Sequence, residues 1–171
     1  MTRYVAFLRG VSPMNAKMAE LKKCFESAGF TEVKTVLASG NVVFNSGTSS
    51  PEKLQKKIEA AMTKNLDRSF STIVRPVDEL KKLFDGDPYA EFKLPKQAKK
   101  VITFLREPGP TATDLPIKRD DVFILSMTRT EVFTAYVPSP KGPVFMQMLE
   151  KTFSKDITTR TVDTVKKCIT V

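Results

Sequence analysis

The chain has 171 residues, a net charge of +9 and a pI of about 9.6. Its 41% hydrophobic and 27% charged residues exclude a disordered protein and are typical of a globular one. A chain of this length forms one ordinary domain or two small halves that pack closely, and it needs no disulfide or metal to fold. The excess of lysine favours anionic partners, although solvated lysines on helix faces would give the same excess.

The absence of histidine is the sharpest chemical information in the sequence. It excludes Ser-His-Asp and Cys-His nucleophiles within this chain and removes the usual general base near neutral pH. Cys24 and Cys168 are far apart, so we expect buried free thiols, no metal and no cofactor. The chain starts directly in a strand pattern, and no apolar run approaches the ~20 residues that cross a bilayer. We therefore expect a cytoplasmic protein with no membrane partner.

The first half of the chain shows the element order β-α-β-β-α-β. Strand patterns cover residues 3–9, 32–37, 41–45 and 71–75. Asn15 and Ser50 are expected to be the N-caps of the two helices, and Pro51 follows Ser50 at the first helical position. Gly29 suits the position just after the first helix. This order is typical of a ferredoxin-like arrangement.

The second half repeats much of this order. Strands are predicted at residues 100–105, 121–126 and 131–137, and an extended segment at 157–159. Pro143 is expected to open a helix, residues 162–168 form another, and residues 107–116 have room for only a poor helix.

We predict an α+β fold of two ferredoxin-like halves packed as one unit. The boundaries are residues 1–76, a connecting helix and loop at 77–99 with Asp78 as N-cap, and residues 100–171 ending in a helix. One continuous mixed sheet is the alternative.

Several segments resemble a bacterial family described as domain of unknown function 1697. The resemblance rests on residues 4–11 (YVAFLRGV), 17–21 (KMAEL), 29–35 (GFTEVKT) and 39–44 (SGNVVF), with shorter matches as far as residues 158–160. It extends over nearly the whole chain and implies an α+β fold with ferredoxin-like halves, while the family's biochemistry is unknown. The chain departs from the family in a shorter, glycine-free loop at residues 11–17 and in the ending Thr159-Arg160-Thr161-Val162.

Six polar or basic side chains form the candidate ligand site: Arg9, Asn15, Lys17, Ser39, Asn41 and Arg160. If the first and third strands pair, most of them come near one edge of the sheet. A helix N-terminus presents unpaired N–H groups, and a neighbouring Arg and Lys would complete an anion site. The alternative is that these residues are purely structural. Asn15 would then only cap a helix, residues 39–41 would only form a turn, and Arg9 would only form a salt bridge with a carboxylate. There is no P-loop, so nucleotide triphosphate hydrolysis is not indicated.

These residues predict a non-catalytic module that binds an anionic, phosphate-bearing ligand. One alternative is a nucleic-acid-binding protein; the other is an enzyme that works without histidine, through Lys17 or a carboxylate. RNA bases could stack on aromatic side chains of the predicted strands, but packing in the core accounts better for the presence of most of these aromatic residues. They are Phe7, Phe44, Phe104, Phe123, Phe133 and Tyr136. The sequence leaves the oligomeric state open.

Overall fold

The computed structural model describes residues 1–109, 114–138 and 144–171. These residues form a mixed α+β fold with two antiparallel sheets and five helices. The chain divides into two compact units, the first made of residues 1–82 and 164–171 and the second of residues 83–163. Residues 164–171 thus group with the first unit, whereas the sequence places them in the predicted half 100–171. No helix of the described residues is long and apolar enough to cross a membrane.

The first unit contains a four-stranded sheet in the order β2-β3-β1-β4, with every neighbouring pair antiparallel. Its elements are β1 (Thr2–Leu8), α1 (Met18–Ser27), β2 (Thr31–Val36), β3 (Asn41–Ser46), α2 (Pro51–Leu66) and β4 (Thr72–Pro76). Near the end of the central strand β1, Phe7 lies opposite Asn41 on one side and Ile73 on the other. The two helices therefore connect strands that do not follow each other in the sheet.

Alternate residues of β1 build the core of the first unit. Tyr4, Ala6 and Leu8 belong to one buried cluster with apolar side chains of α1 and α2. The intervening Val5 and Phe7 are also fully buried. Burial on both faces explains why this strand reads as a continuous apolar run rather than an alternating one.

The first helix does not begin as predicted. Its N-cap is Lys17, which makes no capping hydrogen bond through its side chain, so the prediction of Asn15 as N-cap is wrong. Asn15 instead closes the preceding loop, because its Oδ1 accepts from the Ser12 N–H at 2.9 Å and its Nδ2 donates to the Gly10 carbonyl at 2.7 Å. Both polar atoms of the Asn15 side chain therefore bond within the loop and not to the first turn of the helix.

Two other helix boundaries are as predicted. Gly29 follows α1 with φ +95°, its N–H donates to Glu26, and the Phe30 N–H donates to Phe25, which together form a Schellman ending. At the start of α2, the Ser50 hydroxyl accepts from the Lys53 N–H at 3.3 Å. Because these boundaries depend only on residues that are close in sequence, they can be predicted from the sequence.

The second unit has a five-stranded sheet in the order β6-β7-β8-β5-β9. Its elements are β5 (Lys99–Leu105), β6 (Ile117–Arg119), β7 (Val122–Met127), β8 (Glu131–Tyr136), α4 (Val144–Phe153) and β9 (Ile157–Thr161). Without the short edge strand β6, which the sequence analysis missed, the order repeats that of the first unit. Phe145, Leu149 and Phe153 of α4 pack on this sheet, and Pro143, predicted to open the helix, lies outside the described residues.

Helix α3 (Val77–Leu83) follows β4, and α5 (Val162–Thr170) follows β9. Because α3 begins at Val77, Asp78 lies in its first turn, and the prediction that it is the N-cap is wrong. The loop after α3 is anchored by Tyr89, whose buried hydroxyl donates to the carbonyls of Val101 at 2.9 Å and Thr134 at 3.1 Å. Burial raises the pKa of Tyr89 far above its usual value.

Candidate functional site

Three loops meet at one end of the sheet of the first unit, namely residues 9–17, 37–40 and 67–71. The Leu8 N–H donates to the Gly40 carbonyl at 2.9 Å, and the Arg9 N–H donates to the Ser71 carbonyl at 2.9 Å. These two backbone bonds tie the end of β1 to the loops on either side of it. We call this end of the sheet the loop end.

The turn before β3 touches the loop after β1 closely. Gly40 has φ +87°, and a Cβ atom placed there would lie 2.9 Å from the Val11 Cβ and 3.0 Å from the Leu8 carbonyl oxygen. A glycine is therefore needed at this position both for its backbone conformation and for space. This contact fixes the loop of residues 9–17 against the turn.

The structure places three of the predicted ligand residues in the first of these loops. Arg9 is half-buried, Asn15 holds the loop closed, and Lys17 is exposed at the start of α1. The Lys17 carbonyl accepts from the N–H groups of Glu20 and Leu21, which begins the helix. Lys17 thus lies at the N-terminus of α1, and Arg9 lies at the start of the same loop.

The other three predicted residues have different surroundings. Asn41 is fully buried, and its Nδ2 donates to the Val36 carbonyl at 2.9 Å and to the Ser39 hydroxyl at 3.1 Å. These bonds shape the turn. Arg160 belongs to the second unit, where its Nη1 donates to Thr158 Oγ1 and to the Thr159 carbonyl, both at 2.8 Å.

A groove of about 540 Å³ opens beside the loop end, between α1 and the C-terminal end of α2. Its lining consists of Asn15, Ala16, Glu20, Lys23, Cys24, Ser27, Asn65, Leu66, Asp67 and Arg68. Only Asn15 belongs to the sequence-predicted set. The run Asn65-Leu-Asp-Arg68 at the end of an amphipathic helix is the signal that could have pointed to the rest.

Arg68 is held in place at the edge of this groove. Its Nη1 donates to the Asn15 carbonyl at 2.8 Å, and its guanidinium lies over the Phe70 ring at 5.6 Å from the ring centre. Asn65 is fixed as well, because its Nδ2 donates to the Ala61 carbonyl at 2.8 Å and to Ser27 Oγ at 3.2 Å. The groove therefore presents side chains that are already ordered.

Two basic and two acidic side chains line the groove. Lys23, Glu20 and Asp67 form no ion pair with any other residue that the structure describes. The wider surroundings are strongly basic, because the first unit holds 16 basic and 8 acidic residues, a net charge of +8. The second unit holds 12 basic and 11 acidic residues, a net charge of +1. Almost all of the net positive charge of the chain thus belongs to the unit that contains the groove.

Cys24 forms part of the groove wall but is only 2% exposed. Burial raises the pKa of its thiol, and the contact with Asn65 opposes this only in part. A thiol with a raised pKa stays protonated near neutral pH and is a poor nucleophile or metal ligand. Across the described ranges, no group of three His, Cys, Asp or Glu residues could hold a metal ion.

The strand aromatics considered for base stacking are largely enclosed. Phe7, Phe44 and Phe104 have no exposed surface, and Phe123 and Phe133 are buried. Tyr136 is half-buried and stacks on Phe145 with ring centres 4.4 Å apart. Rings in these positions pack in the protein interior and present no face on which a base could stack.

Comparisons with known proteins agree with the fold. The model of a family described as "Protein of unknown function (DUF1697)" matches residues 1–132. The solved structure of the conserved bacterial protein SP0830 from Streptococcus pneumoniae is similar with a TM-score of 0.68. It is 19% identical in sequence, and the match covers 99% of this chain and 97% of that one. At this identity the similarity establishes the fold alone. No curated protein sequence matches the chain.

Proposed function

The chain belongs to the DUF1697 family of proteins of unknown function, and we propose that its first unit binds a small anionic, phosphate-bearing ligand in the groove between α1 and α2. The observation that carries this proposal is the placement of Arg68, whose guanidinium is held at the groove by the Asn15 carbonyl. Asn15 lies in the loop that the sequence singles out.

The chemistry of Arg68 supports an anion as the ligand. A guanidinium has five N–H donors in a fixed plane, and the bond to Asn15 occupies one of its nitrogens. Because the side chain is already ordered, a ligand loses little affinity to side-chain entropy on binding it. Lys23 adds a second positive charge to the lining of the groove.

The predicted site residues take different parts in this proposal. Asn15 positions Arg68, and Arg9 and Lys17 strengthen the positive potential at the loop end. Ser39 and Asn41 hold the turn that supports the loop. Arg160 belongs to the second unit and does not line the groove, so its role as a ligand residue stays a prediction. We propose a non-catalytic module, and the raised pKa of the buried Cys24 thiol in the groove wall supports this by making it a poor nucleophile.

We also propose that the core of each unit is ferredoxin-like. What supports this is the strand order, second-third-first-fourth, which both sheets share when β6 is left out. In the first unit, α1 and α2 make the two crossovers that this arrangement requires.

Calorimetric titration of the protein with propyl phosphate at low ionic strength tests the binding proposal. Arg68→Gln removes one charge-assisted contact, so we expect binding about tenfold weaker. Lys23→Gln should weaken binding by a smaller factor. Lys64→Gln is the matched control, because Lys64 is an exposed lysine of α2 outside the groove. Absence of binding to the wild-type protein, or equal binding by Arg68→Gln, would overturn the proposal.

Nucleic-acid binding is a second candidate function, and the net charge of +8 on the first unit favours it. Exposed lysines follow one another along α2 at positions 53, 56, 57 and 64. This surface predicts binding of a single-stranded RNA oligonucleotide that weakens steeply with salt and is lost in Lys56→Glu. If the protein does not bind the oligonucleotide, or if binding does not weaken with salt, this candidate function is rejected. RNA binding that survives Arg68→Gln would separate it from the groove.

A further inference from the structure

The groove that is proposed to bind an anion also carries two carboxylates. Glu20 comes from the first turn of α1, and Asp67 directly follows α2. Together with Lys23 and Arg68 they give the lining two charges of each sign. A site built only for an anion gains nothing from the two carboxylates, since they oppose the attraction of the two cations.

Asp67 occupies a position where the helix dipole does not favour a negative charge. It caps the C-terminal end of α2 in a left-handed conformation, with φ +52°. The partial negative charge of a helix C-terminus disfavours a carboxylate. Glycine or asparagine adopts this conformation more readily. Aspartate also tolerates this backbone, so the conformation accounts for a short polar side chain but not for its negative charge. The place of Asp67 in the lining of the groove gives that charge a role.

From these charges we infer that the ligand is a small zwitterion, in which an ammonium group accompanies the phosphate. The inference rests on the proposed function, because Arg68 and Lys23 receive the phosphate. Asp67 and Glu20 receive the ammonium. Each charge of the ligand then meets an opposite charge of the lining, and the four lining charges are satisfied together. A volume of about 540 Å³ admits a molecule of this size.

Two probe compounds of nearly equal size test this inference. Phosphoethanolamine carries a phosphate and an ammonium, whereas propyl phosphate replaces the ammonium by a methyl group. Calorimetric titrations at about pH 8 keep both phosphates doubly charged and the amine protonated. We expect the wild-type protein to bind phosphoethanolamine about fivefold more tightly than propyl phosphate.

Two variants assign that preference to the carboxylates. Asp67→Asn retains the shape of the side chain and suits the left-handed backbone, so the variant should fold at least as well as the wild type. It should bind propyl phosphate unchanged or more tightly and lose most of the preference for phosphoethanolamine. Glu20→Gln should act in the same direction. Glu26→Gln, an exposed glutamate of α1 outside the groove, is the control and should keep the full preference.

The outcomes distinguish the inference from the function on which it rests. If neither compound binds, both the anion site and the zwitterion are rejected. If both bind equally, or if Asp67→Asn keeps the preference, the zwitterion is rejected and the anion site stands. A preference that Asp67→Asn removes and Glu26→Gln retains supports the inference.

Discussion

Replacement of Gln55 by leucine tests how the outer edge of the first sheet is held. β4 is an edge strand, and side chains of α2 bond its N–H groups. Gln55 Oε1 accepts from the Val74 N–H at 3.0 Å, and Glu59 Oε2 accepts from the Thr72 N–H at 3.0 Å. Gln55 is only 2% exposed, so water does not readily replace it.

The expected loss of stability follows from this contact. Leucine has nearly the volume of glutamine and leaves no large cavity, but the buried Val74 N–H loses its acceptor. An unsatisfied group of this kind costs about 1–3 kcal/mol. For a protein of this length we expect the Tm to fall by roughly 3–9 °C. Glu59→Gln is the matched control, because it keeps an acceptor for Thr72 and should change stability by less than about 0.5 kcal/mol.

Thermal unfolding followed by circular dichroism measures the Tm of Gln55→Leu, and amide hydrogen exchange measures the protection of Val74. The reasoning predicts a lower Tm and faster exchange at Val74 in this variant alone. A Tm within about 1 °C of the wild type, with Val74 equally protected, would refute it.

The remaining predictions concern backbone, cap and pH. Gly40→Ala should lower the free energy of unfolding, measured in urea, by about 2 kcal/mol or more. Gly10→Ala is the control and should lower it by less, because Gly10 has φ +83° but open space around it. Equal losses of stability in the two variants would show that the Val11 contact is unimportant. Ser50→Ala should cost about 1 kcal/mol in the same assay, and an unchanged midpoint would argue against the cap. Burial raises the pKa of both Cys24 and Tyr89, so the native state holds these protons more tightly than the unfolded chain. The contribution of these two protonated groups to stability is complete below about pH 8.5 and falls as the pH rises further. The free energy of unfolding should therefore decline more steeply towards about pH 11 in the wild type than in Tyr89→Phe. Parallel pH profiles would contradict this.

Local signals in the sequence were sufficient for most of the fold. The start of α2 depends on Ser50 and Pro51, which are neighbours, and the end of α1 depends on Gly29 and its adjacent residues. The strand β1 was recognisable because its residues 4–8 form a continuous apolar run. β6 was missed because three residues, two of them charged, show no strand pattern.

The candidate site was predicted only in part, because it depends on contacts between distant residues. Asn15 was assigned to a cap by its position before the helix, but its bonds to Gly10 and Ser12 depend on how the loop closes. Arg68 lies 53 residues beyond Asn15, and only the folded chain brings its guanidinium to that carbonyl. The local sequence around Arg68 marks the end of a helix but does not predict its contact with Asn15.

The binding of an anion in the groove is tested most directly by an NMR titration of the labelled protein with propyl phosphate. Amide chemical shifts would be followed up to about 20 mM ligand, a range suited to weak small-molecule binding. The account predicts saturable shifts confined to the backbone around Asn15 and residues 65–68, which require about tenfold more ligand in Arg68→Gln. Shifts that are absent, that do not saturate, or that lie along the exposed lysines of α2 instead would contradict it.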